Sequence, residues 1–278
     1  MITFSAFADE IGPDLKLQMD VCEANGVRCI DVRGIDGKNV SAMSADEVGG
    51  YRRRMDDRGF RVPCIGSPLG KIHMDEDFGK HLDMLQRCFD AAAGFGTKLI
   101  RVFSFYPSQG KKIADERAGV LERLSKMVAL AEKADMILMH ENEKAIYGAI
   151  PQNVVDLFGQ IRSKHFLSIF DPANFVEEGI APYEQGWTKG LKEITVYFHI
   201  KDKKASGGGT CVPAGEGDGQ IDRIFADLKK SNWSGYMTLE PHMAAAGKFS
   251  GYTGPDLFAR AVQGLKNLCD QAGLEYLR

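Results

Sequence analysis

Residues 137–172 read ILMHENEKAIYGAIPQNVVDLFGQIRSKHFLSIFDP. A short apolar run, Ile137–Glu141, ends in a carboxylate. A segment of 3.6-residue periodicity, PQNVVDLFGQIRS, follows it, and a second β-type run, Phe166–Asp171, ends in another carboxylate. Strand, helix and strand in that order predict a parallel pair joined by a right-handed crossover. The same alternation extends in both directions. Further strands are expected at Ile2–Ala8, Arg28–Arg33, Val62–Gly66, Leu99–Phe105, Thr195–Lys201 and Tyr236–Glu240. Helical periodicity fills 13–26, 45–59, 77–96, 115–135, 221–232 and 255–273, and APYEQGWTKGLKE (181–193) supplies a shorter piece. Pro13 and Gly26 punctuate the first helix as helix ends require. Eight such units predict an α/β fold, a single (β/α)₈ TIM barrel spanning residues 1–278. The competing doubly wound sheet calls for a Gly-rich phosphate turn after strand one, where this chain reads FADEIGPD.

Composition narrows the function. Of the 278 residues, 44% are hydrophobic and 26% charged, the profile of a soluble globular protein. A net charge of −3 with no basic cluster beyond KDKK argues against nucleic acid as a partner. No run approaches the length of a membrane span and the N-terminus lacks the pattern of a signal peptide, so a cytoplasmic protein with no membrane partner is expected. The six cysteines form no C-x-x-C pair, which favours reduced, buried thiols.

In a barrel, chemistry belongs at the C-terminal ends of the strands. Four consecutive strands end in Glu141, Asp171, His199 and Glu240. Any one of them has an ordinary explanation: Asp171 as the cap of the DPAN turn, His199 as a satisfied core histidine, Glu240 as a loop acid. Together they place three carboxylates on one spot, which is unfavourable unless a cation lies among them. Mixed carboxylate and imidazole ligands suit one divalent metal ion, Mn²⁺ first, with Zn²⁺, Mg²⁺ or Co²⁺ as alternatives. Lys201 shares the inward parity of His199, and His242 that of Glu240. Strands one to four leave a half-mouth for substrate, offering Arg33, Ser67, Lys71, Arg101 and Phe103. The two arginines are candidate bidentate clamps for a carboxylate or phosphate.

These residues resemble the xylose isomerase-like TIM-barrel superfamily of sugar isomerases and epimerases. The resemblance is carried by HENE (140–143), FDPANF (170–175), FHIKD (198–202), GEGDGQID (215–222) and TLEPH (238–242). FADEIGPDLKLQ (7–18) and GSPLGKI (66–72) extend it over the whole chain. It implies metal ligands at Glu141, Asp171, His199 and Glu240, with Glu141 and Glu240 also the catalytic acid/base pair of the ketose 3-epimerase branch. That branch carries a histidine at the position of Asn174 and an arginine at that of Ala205, both concerned with substrate. The zinc endonuclease branch needs further histidines that strands two and three do not offer.

The expected activity is metal-dependent isomerisation or epimerisation of a sugar, sugar phosphate or keto-sugar. A proton next to a carbonyl is abstracted and a metal-stabilised enediolate formed. A dehydratase or lyase on a keto-sugar or keto-inositol uses the same site, and a non-catalytic sugar-binding barrel is the reading from another class. Expected substrate contacts are Arg33, Ser67, Arg101, Asn174, Lys201 and His242. The partner is a small carbohydrate, and a homo-oligomer is left open.

Overall fold

The computed structural model describes residues 1–206, 210–243 and 253–277. Eight parallel strands form the sheet: β1 (Ile2–Ala6), β2 (Cys29–Ile30), β3 (Cys64–Ile65), β4 (Leu99–Val102), β5 (Ile137–Glu141), β6 (Phe166–Phe170), β7 (Thr195–Ile200) and β8 (Gly235–Leu239). Their spatial order is β2-β1-β8-β7-β6-β5-β4-β3. The two ends of this order meet through parallel bridges Cys29↔Arg61 and Val32↔Ile65, which curl the sheet into a barrel. Around it lie α1 (Leu15–Ala24), α2 (Ala45–Asp56), α3 (Phe78–Phe95), α4 (Arg117–Lys133) and α5 (Pro151–Gln160). They are followed by the short α6 (Pro172–Glu177) and α7 (Leu191–Ile194), then α8 (Ile221–Lys230) and α9 (Pro255–Ala272). The expected (β/α)₈ architecture is thus the observed one.

Local chemistry explains the helix ends. The Asp14 side chain accepts from the Leu17 N–H at the start of α1, and Ser44 and Glu47 form a reciprocal capping box on α2. Gly96 and Gly273 end α3 and α9 in the left-handed conformation that glycine adopts without steric cost.

Two apolar layers follow from strand parity. Side chains facing outward, such as Phe4, Ile100, Leu138, Phe170 and Phe198, pack against the helices in the main core. Those facing inward, Cys64, Met139, Ile169 and Tyr197, plug the barrel with Leu99, Ile137, Leu167 and Tyr236 against them. Full burial of one large apolar side chain contributes about 1.5–3 kcal/mol, so this plug is a firm floor for whatever lies above it. Five of the six cysteines are buried and all are free, as expected from their spacing. No helix among the described residues is long and apolar enough to cross a membrane.

The differences from expectation are local. Strand two is expected over Arg28–Arg33 but pairs continuously only at Cys29–Ile30, because the chain turns into a tight hairpin, Gly34–Ile35 against Lys38–Asn39. The irregular stretch after Asp171 becomes four short turns, α6, a π turn at Pro182–Gly186, a 3₁₀ turn at Trp187–Lys189 and α7. A second small hairpin, Asp202–Lys203 against Cys211–Val212, rises beyond β7.

Candidate metal centre

Glu141 is the last residue of β5, Asp171 and Glu240 directly follow β6 and β8, and His199 is the penultimate residue of β7. Barrel closure brings one ligand atom of each to within 4.8 Å of the others, and all four residues are buried. His199 Nδ1 lies 2.9 Å from Glu141 Oε1 and 3.7 Å from Glu240 Oε2. Arg101 Nη1 spans the same pair of glutamates on their other oxygens, at 3.2 Å from Glu141 Oε2 and 3.6 Å from Glu240 Oε1. Lys201 Nζ stands 3.1 Å from Asp171 Oδ2 and 3.7 Å from Glu240 Oε2.

A divalent cation fits this donor set. Asp171 Oδ2, Glu240 Oε2 and both nitrogens of His199 are buried without a hydrogen bond among the described residues. Lys201 lies 3.1 Å from Asp171 and His199 2.9 Å from Glu141 as ion-pair contacts. Buried polar atoms are ordinarily satisfied, so Asp171 Oδ2, Glu240 Oε2 and His199 Nδ1, unsatisfied at one spot, mark a ligand site.

Electrostatics sorts the carboxylates. Burial alone would raise the Glu141 carboxyl, yet His199 and Arg101 overcome it, and repulsion from Glu240, to hold the group at about 2. Burial works the same way on Glu240, where Lys201, His242, Arg33 and Arg101 draw it well below the usual carboxylate range. For Asp171, burial together with repulsion from Glu141 and Glu240 outweighs the attraction of Lys201 and His199 and pushes the carboxyl up to about 7. Burial also works against a charged Lys201, but Asp171 and Glu240 outweigh it and keep the side chain an ammonium.

The other expected site residues are placed as follows. Arg33 faces the mouth and ion-pairs with Asp9 (2.7 Å), Glu10 (2.8 Å) and Glu240 (2.8 Å). Arg101, besides its glutamates, donates to the carbonyls of Gly66 and Ser67. Ser67 is fully buried and gives its hydroxyl to the Arg101 carbonyl. Asn174 donates to the Asn142 carbonyl at 2.8 Å and, more weakly, to Glu141 at 3.5 Å. His242 adopts a left-handed φ of +47°, an uncommon conformation for histidine, and its Nε2 stands 3.0 Å from Glu10 and 3.6 Å from Glu240. Lys71 pairs with Glu143 and lies over the Phe103 ring.

His140, which adjoins Glu141, points outward instead and bonds Ser104 Oγ at 3.0 Å; burial lowers its pKa to about 4, so it stays neutral.

Sequence reading passed over several supporting groups. Asn142 accepts from the Asp171 N–H and donates to the Asp171 carbonyl, locking the ends of β5 and β6 together. Its signal was its place inside HENE. Glu10 joins Arg33, His242 and the Thr253 hydroxyl, and its position after strand one was the only clue. Asp202 collects the N–H groups of Lys203, Gly215, Gly217 and Gly219, folding GEGDG around one carboxylate.

Residues 19–268 match the family model described as a xylose isomerase-like TIM barrel. The chain belongs to that family. No curated protein sequence matches it. Among solved structures, a D-tagatose 3-epimerase-like protein superposes with a TM-score of 0.75 at 14% identity, covering 98% of each chain. The probable 3-DHS dehydratase AsbF involved in petrobactin synthesis from Bacillus anthracis superposes with a TM-score of 0.74 at 16% identity, covering 95% of this chain and 99% of that one. An IOLI protein with a bound zinc atom gives a TM-score of 0.74 at 13% identity, covering 98% of each. At such identities the likenesses establish a shared fold, and these neighbours carry the names of different reactions.

Proposed function

We propose that this protein is a metal-dependent isomerase or epimerase of a sugar or keto-sugar. The observation that carries the reading is the pair Glu141 and Glu240, two buried carboxylates on neighbouring sides of one cluster. Each offers one oxygen toward His199 and the other toward Arg101. Glu141, Asp171, His199 and Glu240 would hold the cation. When bound, it would supply Lewis-acid polarisation of a substrate carbonyl. Both glutamates are ionised at neutral pH and so can accept a proton, while the cations around them, which hold their pKa values low, also weaken them as bases. Arg101 fixes their separation, and Lys201 supplies a permanent positive charge beside the substrate's oxygens. Two bases serve removal and return of a proton, a requirement that mere sugar binding does not impose.

The substrate is proposed to be uncharged. Arg33, Arg101, Lys71 and Lys201 are each paired with protein carboxylates in the structure. A phosphate or carboxylate would have to break these pairs, whereas hydroxyl groups need only share them.

The test is wash-in of deuterium from D₂O into free keto-sugars by metal-loaded protein, with product stereochemistry followed by NMR. Exchange with retained composition is expected, and Glu141→Gln and Glu240→Gln should each slow turnover by about 10²–10⁴-fold. Loss of water or of a glycosidic group in place of isomerisation would move the assignment to the dehydratase or lyase reading, and no exchange with any sugar would overturn it. Stronger inhibition by a ketose phosphate than by the free ketose would sink the uncharged-substrate assignment.

A further inference from the structure

Two loops at the C-terminal rim are tied together over the end of β4. Lys71, on the loop after β3, ion-pairs at 2.8 Å with Glu143, on the loop after β5. The pair therefore spans β4, which lies between those two strands in the sheet. Beneath it, Lys71 Nζ lies 4.3 Å from the centroid of the Phe103 ring, a fully buried side chain directly after β4. Arg101 shares the inward parity of Phe103, lies 5.0 Å from the same centroid and reaches Glu141. One aromatic ring thus separates the Lys71–Glu143 pair from the guanidinium that touches the glutamates of the candidate centre.

Neither loop needs the pair to hold its shape. The Phe103 N–H donates to the Leu69 carbonyl at 2.7 Å, the Phe105 N–H to the Gly70 carbonyl at 3.0 Å and the Tyr106 N–H to the Ile72 carbonyl at 3.0 Å. These bonds fix the chain on both sides of Lys71, and His81 accepts the Gly70 N–H as well. On the facing loop, Asn142 is bonded in both directions to the Asp171 backbone, and Glu143 Oε1 accepts the Lys144 N–H. A partly exposed ion pair between flexible side chains contributes little to stability. Here the backbone under each charge is already set and the ring adds a cation–π contact, so the two heads are held in place before any ligand arrives. Their side chains remain 34% and 15% exposed, so a molecule entering the mouth reaches both. An ammonium has three donors and a carboxylate about four acceptor sites, so each keeps capacity after the pair has formed. A hydroxyl group, which donates and accepts at once, complements both. A phosphate complements only the lysine and is repelled by the glutamate.

We propose that Lys71 and Glu143 together form a subsite for a hydroxyl group at the far end of an uncharged sugar, and that the pair selects the substrate by that hydroxyl. The inference rests on the isomerase or epimerase reading above and deepens it. The test uses metal-loaded, full-length wild type, Lys71→Met and Glu143→Gln. The probes are the free ketose that exchanges deuterium fastest, the deoxy analogue lacking its hydroxyl farthest from the carbonyl, and the phosphate ester of that hydroxyl. A hydrogen bond to a charged group sets the scale, so wild type should favour the ketose over the deoxy analogue by about 10–100-fold in kcat/KM, mostly through KM. In each variant that ratio should shrink toward unity. A purely structural role would lower both rates together and leave the ratio as it was. Either variant suffices if the other does not fold, and the wild-type preference is read without any variant. No preference in wild type, or an undiminished ratio in a folded variant, overturns the subsite and leaves the exchange chemistry standing. A phosphate ester preferred over the free ketose, with that preference lost in Lys71→Met, would make Lys71 an anion clamp and also overturn it. No exchange with any ketose in wild type would overturn the isomerase or epimerase reading itself, and the subsite with it.

Discussion

At the scale of single residues, Arg33 shows how a group that faces the mouth can be committed to the protein itself. Its guanidinium touches Asp9, Glu10 and Glu240, and their attraction outweighs the burial that opposes its charge, so it remains a cation throughout the accessible pH range. Glu10 is fully buried, and without Arg33 it would keep only His242 as an ionic partner among the described residues. Removing one member of a buried ionic network leaves the others uncompensated, at a cost of about 3–5 kcal/mol. Arg33→Ala should therefore lower the urea midpoint by an amount of that order with the m-value unchanged, and should depress kcat as well as raise KM. A variant of wild-type stability with only KM altered would show that Arg33 acts as a plain substrate clamp.

At the scale of elements, the loop between β3 and α3 is held by a histidine that must stay neutral. His81 Nε2 accepts the Gly70 N–H at 2.8 Å, and Gly70 has a φ of +89° where a Cβ would collide with the Phe103 carbonyl. Burial, reinforced by Arg123, lowers the His81 pKa to about 4. Because the folded value lies below the ordinary 6.5, the unfolded chain takes up the proton first. The His81 contribution is complete above about pH 6.5 and is lost as pH falls toward 4, about 2 kcal/mol of it by pH 5. His81→Asn keeps an acceptor but cannot be protonated, so the gap between its urea stabilities at pH 7 and pH 5 should be smaller than wild type's by about that amount. An equal gap would rule the mechanism out.

At the scale of the whole molecule, the candidate centre gathers groups from every part of the chain, so anything that binds it should stabilise the entire barrel. A ligand at a hundred times its Kd adds about 2.7 kcal/mol to the folded state. For a chain of this length that is a rise of about 5 °C in Tm. Calorimetry of chelator-treated protein, repeated after adding Mn²⁺ or Zn²⁺, should show this rise, and His199→Ala should abolish it. A Tm indifferent to every divalent ion would contradict a metal centre.

What could be read from sequence alone was whatever depends on period and punctuation. Apolar runs alternating with 3.6-period segments specify parallel strands and crossover helices. A polar residue closing each of four successive runs locates Glu141, Asp171, His199 and Glu240 at one rim, since strand ends and side-chain parity are local properties. The partners of those residues were decided by barrel closure, which sets β1 beside β8 and joins residues far apart in the chain. Arg33 and Glu240 are separated by 207 positions, as are Asp31 and Thr238, and no local pattern encodes which carboxylate a guanidinium will find. Asp9 and Glu10 therefore looked like ordinary acids near strand ends. Only the closed barrel makes them neighbours of the site, because a buried charge takes its meaning from what surrounds it in space.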